Sequence, residues 1–575
     1  MEAVLCSDCG AANSGTSKFC VECGTPMAAA PPPAEDSVLC QSCGAANAKG
    51  AKFCVECGVA MAGGASARPR RAAARADRAA TPVDRAAAPV AARPAAHEAE
   101  PPLPPLPPLL AFFLEEQSGT RATYRTLAIG VIIFLLAFGG YFFSTHLHPG
   151  SGPSLHWIHP LSRYTFYADL AEALNHGSFD LRKAGIAPES HPDLLTKDGH
   201  VYLPYQPMPG VLLMPFVAIW GQGSTQITFS MLLGAVNVVV FWYILRLLGV
   251  SRETKLLLIP FFAFGTAHFY SASEGTLWFY NHITALFFVQ LALVFLLRRD
   301  SPVLPAACLG LAALSRQPTV LAVPAFLYVM IEQRRPGFFA DVHPLEMVTS
   351  FFRGEMSHLR RLFQHVVDVT REGLSDNRVL STVAVTVAVL VPFGIISLWY
   401  NAVRFDGIFD TGLDEIYDKY NGVAYTQYLA AGGAERFGQF DPRNIPIHIY
   451  TIFLQAPVFT NDPTMIRPSE FGMSILLTSS PFVYGALVKR RDPLKIACWL
   501  ALILVPIPTL MYYSGGWVQF GYRYLMDYLP FIMILTAFGF DDNRSPRAFR
   551  LKVALIVLSI AIGFWGRYWA TRLGW

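Results

Sequence analysis

The chain has 575 residues, 53% of them hydrophobic and only 15% charged, with a net charge of +4. A soluble chain carries roughly a quarter charged residues, so this deficit and the positive mean hydropathy exclude an ordinary soluble protein and point to a polytopic membrane protein. The small net charge gives no footing for nucleic acid, which is not expected as a partner.

The front end is unlike the rest. Eight of the ten cysteines lie before residue 58, as Cys6/Cys9 with Cys20/Cys23 and Cys40/Cys43 with Cys54/Cys57. All four positions repeat at an offset of 34, and the heptapeptide KFCVECG occurs twice, so the module is duplicated. Met1–Gly24 has no apolar signal-peptide core, which places this end in a reducing cytoplasm. There, paired Cys-x-x-Cys motifs favour metal or redox roles over disulfides. Neither repeat sits in the βαβ pattern of a thioredoxin-type dithiol. Four thiolates from two such pairs close a tetrahedral Zn²⁺ site. The segment resembles the double zinc ribbon family over residues 4–60, which implies ribbons at 1–27 and 36–62 and two structural zinc ions. Both sites are closed by protein, so they form an interaction or regulatory module for an unknown cytoplasmic partner. Cys308 and Cys498 lie in apolar runs and read as small buried hydrophobes.

Residues 63–122 are a linker, rich in Ala, Pro and Arg as far as PPLPPLPPLL, a composition that cannot bury enough apolar surface to offset chain entropy. Its arginines outnumber its acids, which suits either a solvated spacer or a tether attracted to anionic lipid.

Residues 123–575 form the membrane domain. Spanning runs are read at 125–145, 226–248, 256–272, 279–297, 302–316, 317–332, 379–402, 471–488, 494–513, 524–540 and 551–570, about eleven in all. Starting inside, this order puts Arg246, Arg298, Arg334, Lys489 and Arg544 on the cytoplasmic side, as the positive-inside rule requires, and the C-terminus on the periplasmic side. The apolar stretch 208–221 is too short to cross and reads as interfacial or re-entrant. Two large outer loops result, 146–225 and 403–470, with a cytoplasmic insert at 333–378 that contains an amphipathic helix.

The first outer loop reads SRYTFYADLAEALNHGSFDL and then DGHVYLPYQPMPGVLLMPFVA. Further on come EGTLWFYNHITALFF, GLAALSRQPTVLAVP, LWYNAVRFDGIFDTG and GGWVQFGYRYLMDYLPF. In order and topology these blocks resemble the GT-C glycosyltransferases, the superfamily of protein O-mannosyltransferases and aminoarabinose transferases. The resemblance covers about 125–570 and implies an all-α GT-C-like fold. It also implies a polyprenyl-phosphate sugar donor and work on the outer face of the bacterial inner membrane. The family often has an acidic pair just before the Tyr-Ala of the first loop helix; Ser162 and Arg163 stand there instead.

An inverting transfer needs a carboxylate to take the acceptor's proton and cations to stabilise the departing phosphate. Asp169, on the first-loop helix, is the leading base candidate, with Glu172 and Asp198 as others. Arg316 and Arg523 are the candidate phosphate ligands, although Arg523 could instead pair with Asp527 four residues on. Glu274 and His282 flank an outer loop rich in Trp and Tyr. The acids Asp410, Asp414, Glu415 and Asp418 form either a divalent-cation site or a solvated loop. Trp157, Tyr202, Tyr205, Trp278 and Trp517 suit stacking on sugar rings or the interfacial aromatic belt. The expected function is transfer of a sugar from a polyprenyl-phosphate donor to a cell-envelope acceptor. The alternative is a non-catalytic membrane scaffold or sensor that acts through the ribbons.

Overall fold

The computed structural model describes residues 120–146, 164–223, 225–299, 301–339, 375–419, 438–460 and 466–574, isolated positions between 360 and 373, and four short strands before residue 49. The eight expected zinc ligands (Cys6, Cys9, Cys20, Cys23, Cys40, Cys43, Cys54 and Cys57) lie outside the described residues. So do the linker before residue 120, Trp157, Ser162, Arg163 and most of the 333–378 insert with its amphipathic helix. The chain divides into two units, Met1–Pro102 and Leu103–Trp575, at a boundary inside the expected linker.

The first unit holds two antiparallel hairpins, Ala3–Leu5 with Ala12–Ser14 and Ser37–Leu39 with Ala46–Ala48. Ala3 faces Ser14 and Ser37 faces Ala48, so the register repeats at the same 34-residue offset as the cysteines. In sequence, Cys6/Cys9 and Cys40/Cys43 fall between the paired strands of their hairpins.

The second unit is helical. Six of its described helices are long and apolar enough to cross a membrane: Tyr124–Thr145, Thr225–Leu247, Leu277–Arg298, Asn377–Arg404, Pro493–Met511 and Pro546–Leu573. A seventh candidate is Arg252–Phe264 with Ala267–Glu274, bent by 46° between them, where Thr266 caps the second helix through its hydroxyl. The expected count of eleven is therefore not met by long helices. The runs expected at 302–316 and 317–332 are the 11-residue helix Val303–Ala313 and a 3₁₀ turn, Gln317–Ala322, leading into Val323–Arg334. Those at 471–488 and 524–540 are likewise broken, into Ile475–Thr478 with 3₁₀ turn Ser480–Leu487, and into 3₁₀ turn Arg523–Asp527 with Leu529–Asp542. Shortened and unwound segments are tolerated at membrane depth where they pack against protein instead of lipid.

At one end, Asp541 accepts hydrogen bonds from Ser251 and Thr254 and pairs with Arg490 and Arg544, while Lys552 pairs with Glu253. Arg335 pairs with Asp376, and Arg246 donates to Thr126. These are the basic loops that the charge pattern assigned to one side. Met208–Trp220 is a 13-residue apolar helix, too short to cross. It approaches the Phe166–Asn175 helix at Gly210, where an added Cβ would meet Leu170 at 2.9 Å.

Candidate functional site

The first outer loop is built from local signals. Asp198 and Gly199 have φ of 49° and 77° and form the two-residue turn of a hairpin, Leu195–Lys197 with His200–Tyr202. Asp-Gly suits such a turn because both positions need left-handed backbone. Asp198 is thereby an exposed turn residue. Asp180 locks the hairpin to the preceding 3₁₀ turn, Leu181–Ala184. It accepts from Arg182, from His200 Nδ1 and from the Val201 N–H. Burial opposes ionisation of Asp180, but these hydrogen bonds outweigh it and hold the carboxyl well below the usual range.

The Phe166–Asn175 helix has no cap from its own Thr165. Its first N–H groups are capped from another element. Fully buried Gln226 accepts from the Tyr167 and Ala168 N–H groups through Oε1 and donates to the Gly275 carbonyl through Nε2. This one amide ties the outer-loop helix to the turn that starts the Leu277–Arg298 helix.

That turn forms one wall of a cavity of about 1000 Å³. Trp278, Asn281 and His282, spaced to share a helical face, all line it. From the outer loop comes Asp193, 3% exposed, whose Oδ2 accepts from Trp278 Nε1 at 2.6 Å and from the Tyr205 hydroxyl at 3.4 Å. Beside it the ring of His191 packs against Tyr164 and Trp278, with centroids 5.0 and 5.9 Å away, and burial lowers its pKa.

Arg316 stands at the break between Val303–Ala313 and the Pro318-containing 3₁₀ turn. Its Nε and Nη2 form a fork on Asp527, 3.2 Å to Oδ1 and 2.8 Å to Oδ2. Asp527 is 2% exposed and also meets His282 Nδ1 at 2.8 Å through Oδ1. The alternative pairing of Asp527 with Arg523 does not form. Arg523 lies over the rings of Phe279 and Tyr524, at 5.7 and 5.3 Å, and donates to the Trp517 carbonyl. It has no carboxylate partner among the described residues. Glu274 pairs with Arg567 at 2.6 Å, and both line the same cavity.

Of the residues expected from sequence, the structure brings Arg316, Arg523, Glu274, His282, Tyr205, Trp278 and Trp517 to one cavity. Asp169, Glu172 and Asp198 are not among its lining residues. Asp169 is 7% exposed inside the loop helix, where burial pushes its carboxyl up to about 7. Glu172 sits one turn from His176, 3.6 Å away. Asp410 caps the Gly412 N–H and Glu415 pairs with Lys419. No group of three or more His, Cys, Asp or Glu that could hold a metal occurs among the described residues. The sequence reading missed Asp193, Gln226 and Arg567.

The double zinc ribbon family model matches residues 6–58. No curated protein matches the chain. Among solved structures, the chain is similar to the crystal structure of ArnT from Cupriavidus metallidurans bound to undecaprenyl phosphate. The identity is 12% and the TM-score 0.38, over 76% of this chain and 62% of that one. The chain thus spans less than two thirds of the length of that protein.

Proposed function

We propose that the protein is a membrane glycosyltransferase that uses a polyprenyl-phosphate sugar, with the cavity on the periplasmic side and the basic loops in the cytoplasm. The observation that carries this reading is the cavity itself. It gathers three guanidiniums, of which Arg523 has no carboxylate partner among the described residues, next to the buried carboxylate of Asp193 and to Trp278, Trp517 and several tyrosines. Guanidinium forks suit a phosphate, and aromatic faces suit a sugar ring.

In the reaction, the acceptor hydroxyl attacks the anomeric carbon, and the bond from that carbon to the phosphate oxygen breaks. The electron pair leaves with the phosphate, where Arg523 and Arg316 stabilise the charge. The acceptor's proton passes to a carboxylate. Asp193 is the carboxylate for this role: it lines the cavity, and its Oδ2 is fixed by Trp278 and Tyr205. The proposal therefore takes Asp193 as the base instead of Asp169, Glu172 or Asp198. The ribbons each hold one zinc ion through four cysteines (Cys6, Cys9, Cys20 and Cys23; Cys40, Cys43, Cys54 and Cys57) and recruit a cytoplasmic partner.

Binding of polyprenyl phosphate to the purified chain tests the phosphate assignment. Arg523→Ala should weaken it by about 10-fold or more, the loss of one charge-assisted contact of about 1.5–3 kcal/mol. Equal affinity for wild type and variant would remove Arg523 from the site.

A further inference from the structure

His282 has one nitrogen that the fold does not use. Its Nδ1 is 2.8 Å from Asp527, but Nε2 is buried with no hydrogen-bond partner among the described residues, in a side chain 1% exposed. Leaving such an atom unpaired costs about 1–3 kcal/mol. The neighbouring Asn281, 3% exposed, also leaves its Oδ1 unpaired, and both residues line the cavity.

The orientation of the ring follows from its partner. Asp527 accepts the Nδ1 proton, and the same carboxylate is already matched in charge by Arg316. The neutral imidazole therefore presents Nε2 as a lone-pair acceptor. Two adjacent unpaired acceptors beside two guanidiniums call for a ligand that offers hydrogen-bond donors next to an anion. A protonated amine is disfavoured beside the guanidiniums, which leaves hydroxyl groups.

We infer that His282 is a ligand-contacting residue whose Nε2, fixed as an acceptor by Asp527, receives a hydroxyl of the transferred sugar or of its acceptor, and so reads the glycosyl group where Arg316 and Arg523 read the phosphate. Asp527 is the positioning residue that serves both functions, holding the Arg316 fork and the imidazole at once. This rests on the reading of the cavity as a glycosyl-phosphate site.

The test compares two ligands on the purified full-length chain in lipid nanodiscs: polyprenyl-phosphate glucose or mannose, and bare polyprenyl phosphate. His282→Asn keeps an amide donor near Asp527 and removes the Nε2 acceptor. It should weaken the sugar-bearing ligand by about 10-fold and leave bare polyprenyl phosphate unchanged, which also shows that the variant is folded. His282→Gln, whose longer side chain carries an amide oxygen toward the Nε2 position, should restore part of the discrimination. If donor binding is unchanged but the acceptor KM rises by about 10-fold, the hydroxyl belongs to the acceptor, and the assignment of His282 stands. Equal weakening of both lipid ligands would make His282 a support for Arg316 alone and overturn the inference. Unchanged binding with unchanged KM would overturn it as well. A wild-type chain that binds neither lipid would instead defeat the underlying reading of the cavity.

Discussion

Asp169 shows what a carboxylate on an outer-loop helix does when it is buried. Its carboxyl rises from 3.8 to about 7 because desolvation disfavours the charge. The folded chain then binds the proton more tightly than the unfolded chain. The contribution of this one group to stability is therefore full below about pH 4, falls as pH rises toward 7, and levels off above. Asp169→Asn should therefore stabilise the protein at pH 8, by at most about 4 kcal/mol from the size of the shift, and have little effect at pH 4. Thermal unfolding at the two pH values checks this. A variant that is less stable at pH 8 would show that the ionised group has a partner the account lacks. The neighbouring choice between Asp169 and Asp193 was not legible in the sequence. Asp193 is held at the cavity by Trp278, 85 residues away, and no spacing rule links the two.

Elements that depend on length and composition were legible, and those that depend on packing were not. Long apolar helices such as Thr225–Leu247 and Leu277–Arg298 fall within one or two residues of the runs read at 226–248 and 279–297. The segments at 302–332 and 471–488 broke into short helices and 3₁₀ turns, because Pro318 and Pro481 remove backbone donors and neighbouring helices replace lipid as their surroundings. The Gln226 cap was invisible for the same reason: a glutamine inside an apolar helix reveals its partner only once the outer loop has folded over it. The zinc ribbons are the opposite case, since cysteine spacing alone announces the module. Metal analysis of the full-length chain should find two zinc ions per chain, and one after Cys54→Ser. Retention of both would remove Cys54 from the ligand set, and none in the wild type would remove zinc from the account.

At the scale of the whole molecule, the sequence pattern of basic loops and the structure's ion pairs describe the same polarity. Asp541 and Asp542 gather Arg490 and Arg544 at one end, while Asp193, Arg316, Arg523 and His282 gather at the other. In the proposed reading the charge rule puts the first end in the cytoplasm, so that the cavity would face outward, where a lipid-linked sugar would enter from the membrane. The alternative, a scaffold that merely anchors the ribbons, gives no reason for a large cavity lined by an arginine without a carboxylate partner, and by a histidine with an unused nitrogen, among the described residues. The most direct measurement is the release of polyprenyl phosphate from radiolabelled polyprenyl-phosphate sugars by membranes containing the wild type or Asp193→Asn. The account predicts release by the wild type with at least one such sugar, slowed by about 10²–10⁴-fold in the variant while donor binding persists. Release by the variant at the wild-type rate, or no release by the wild type with any polyprenyl-phosphate sugar, would contradict it.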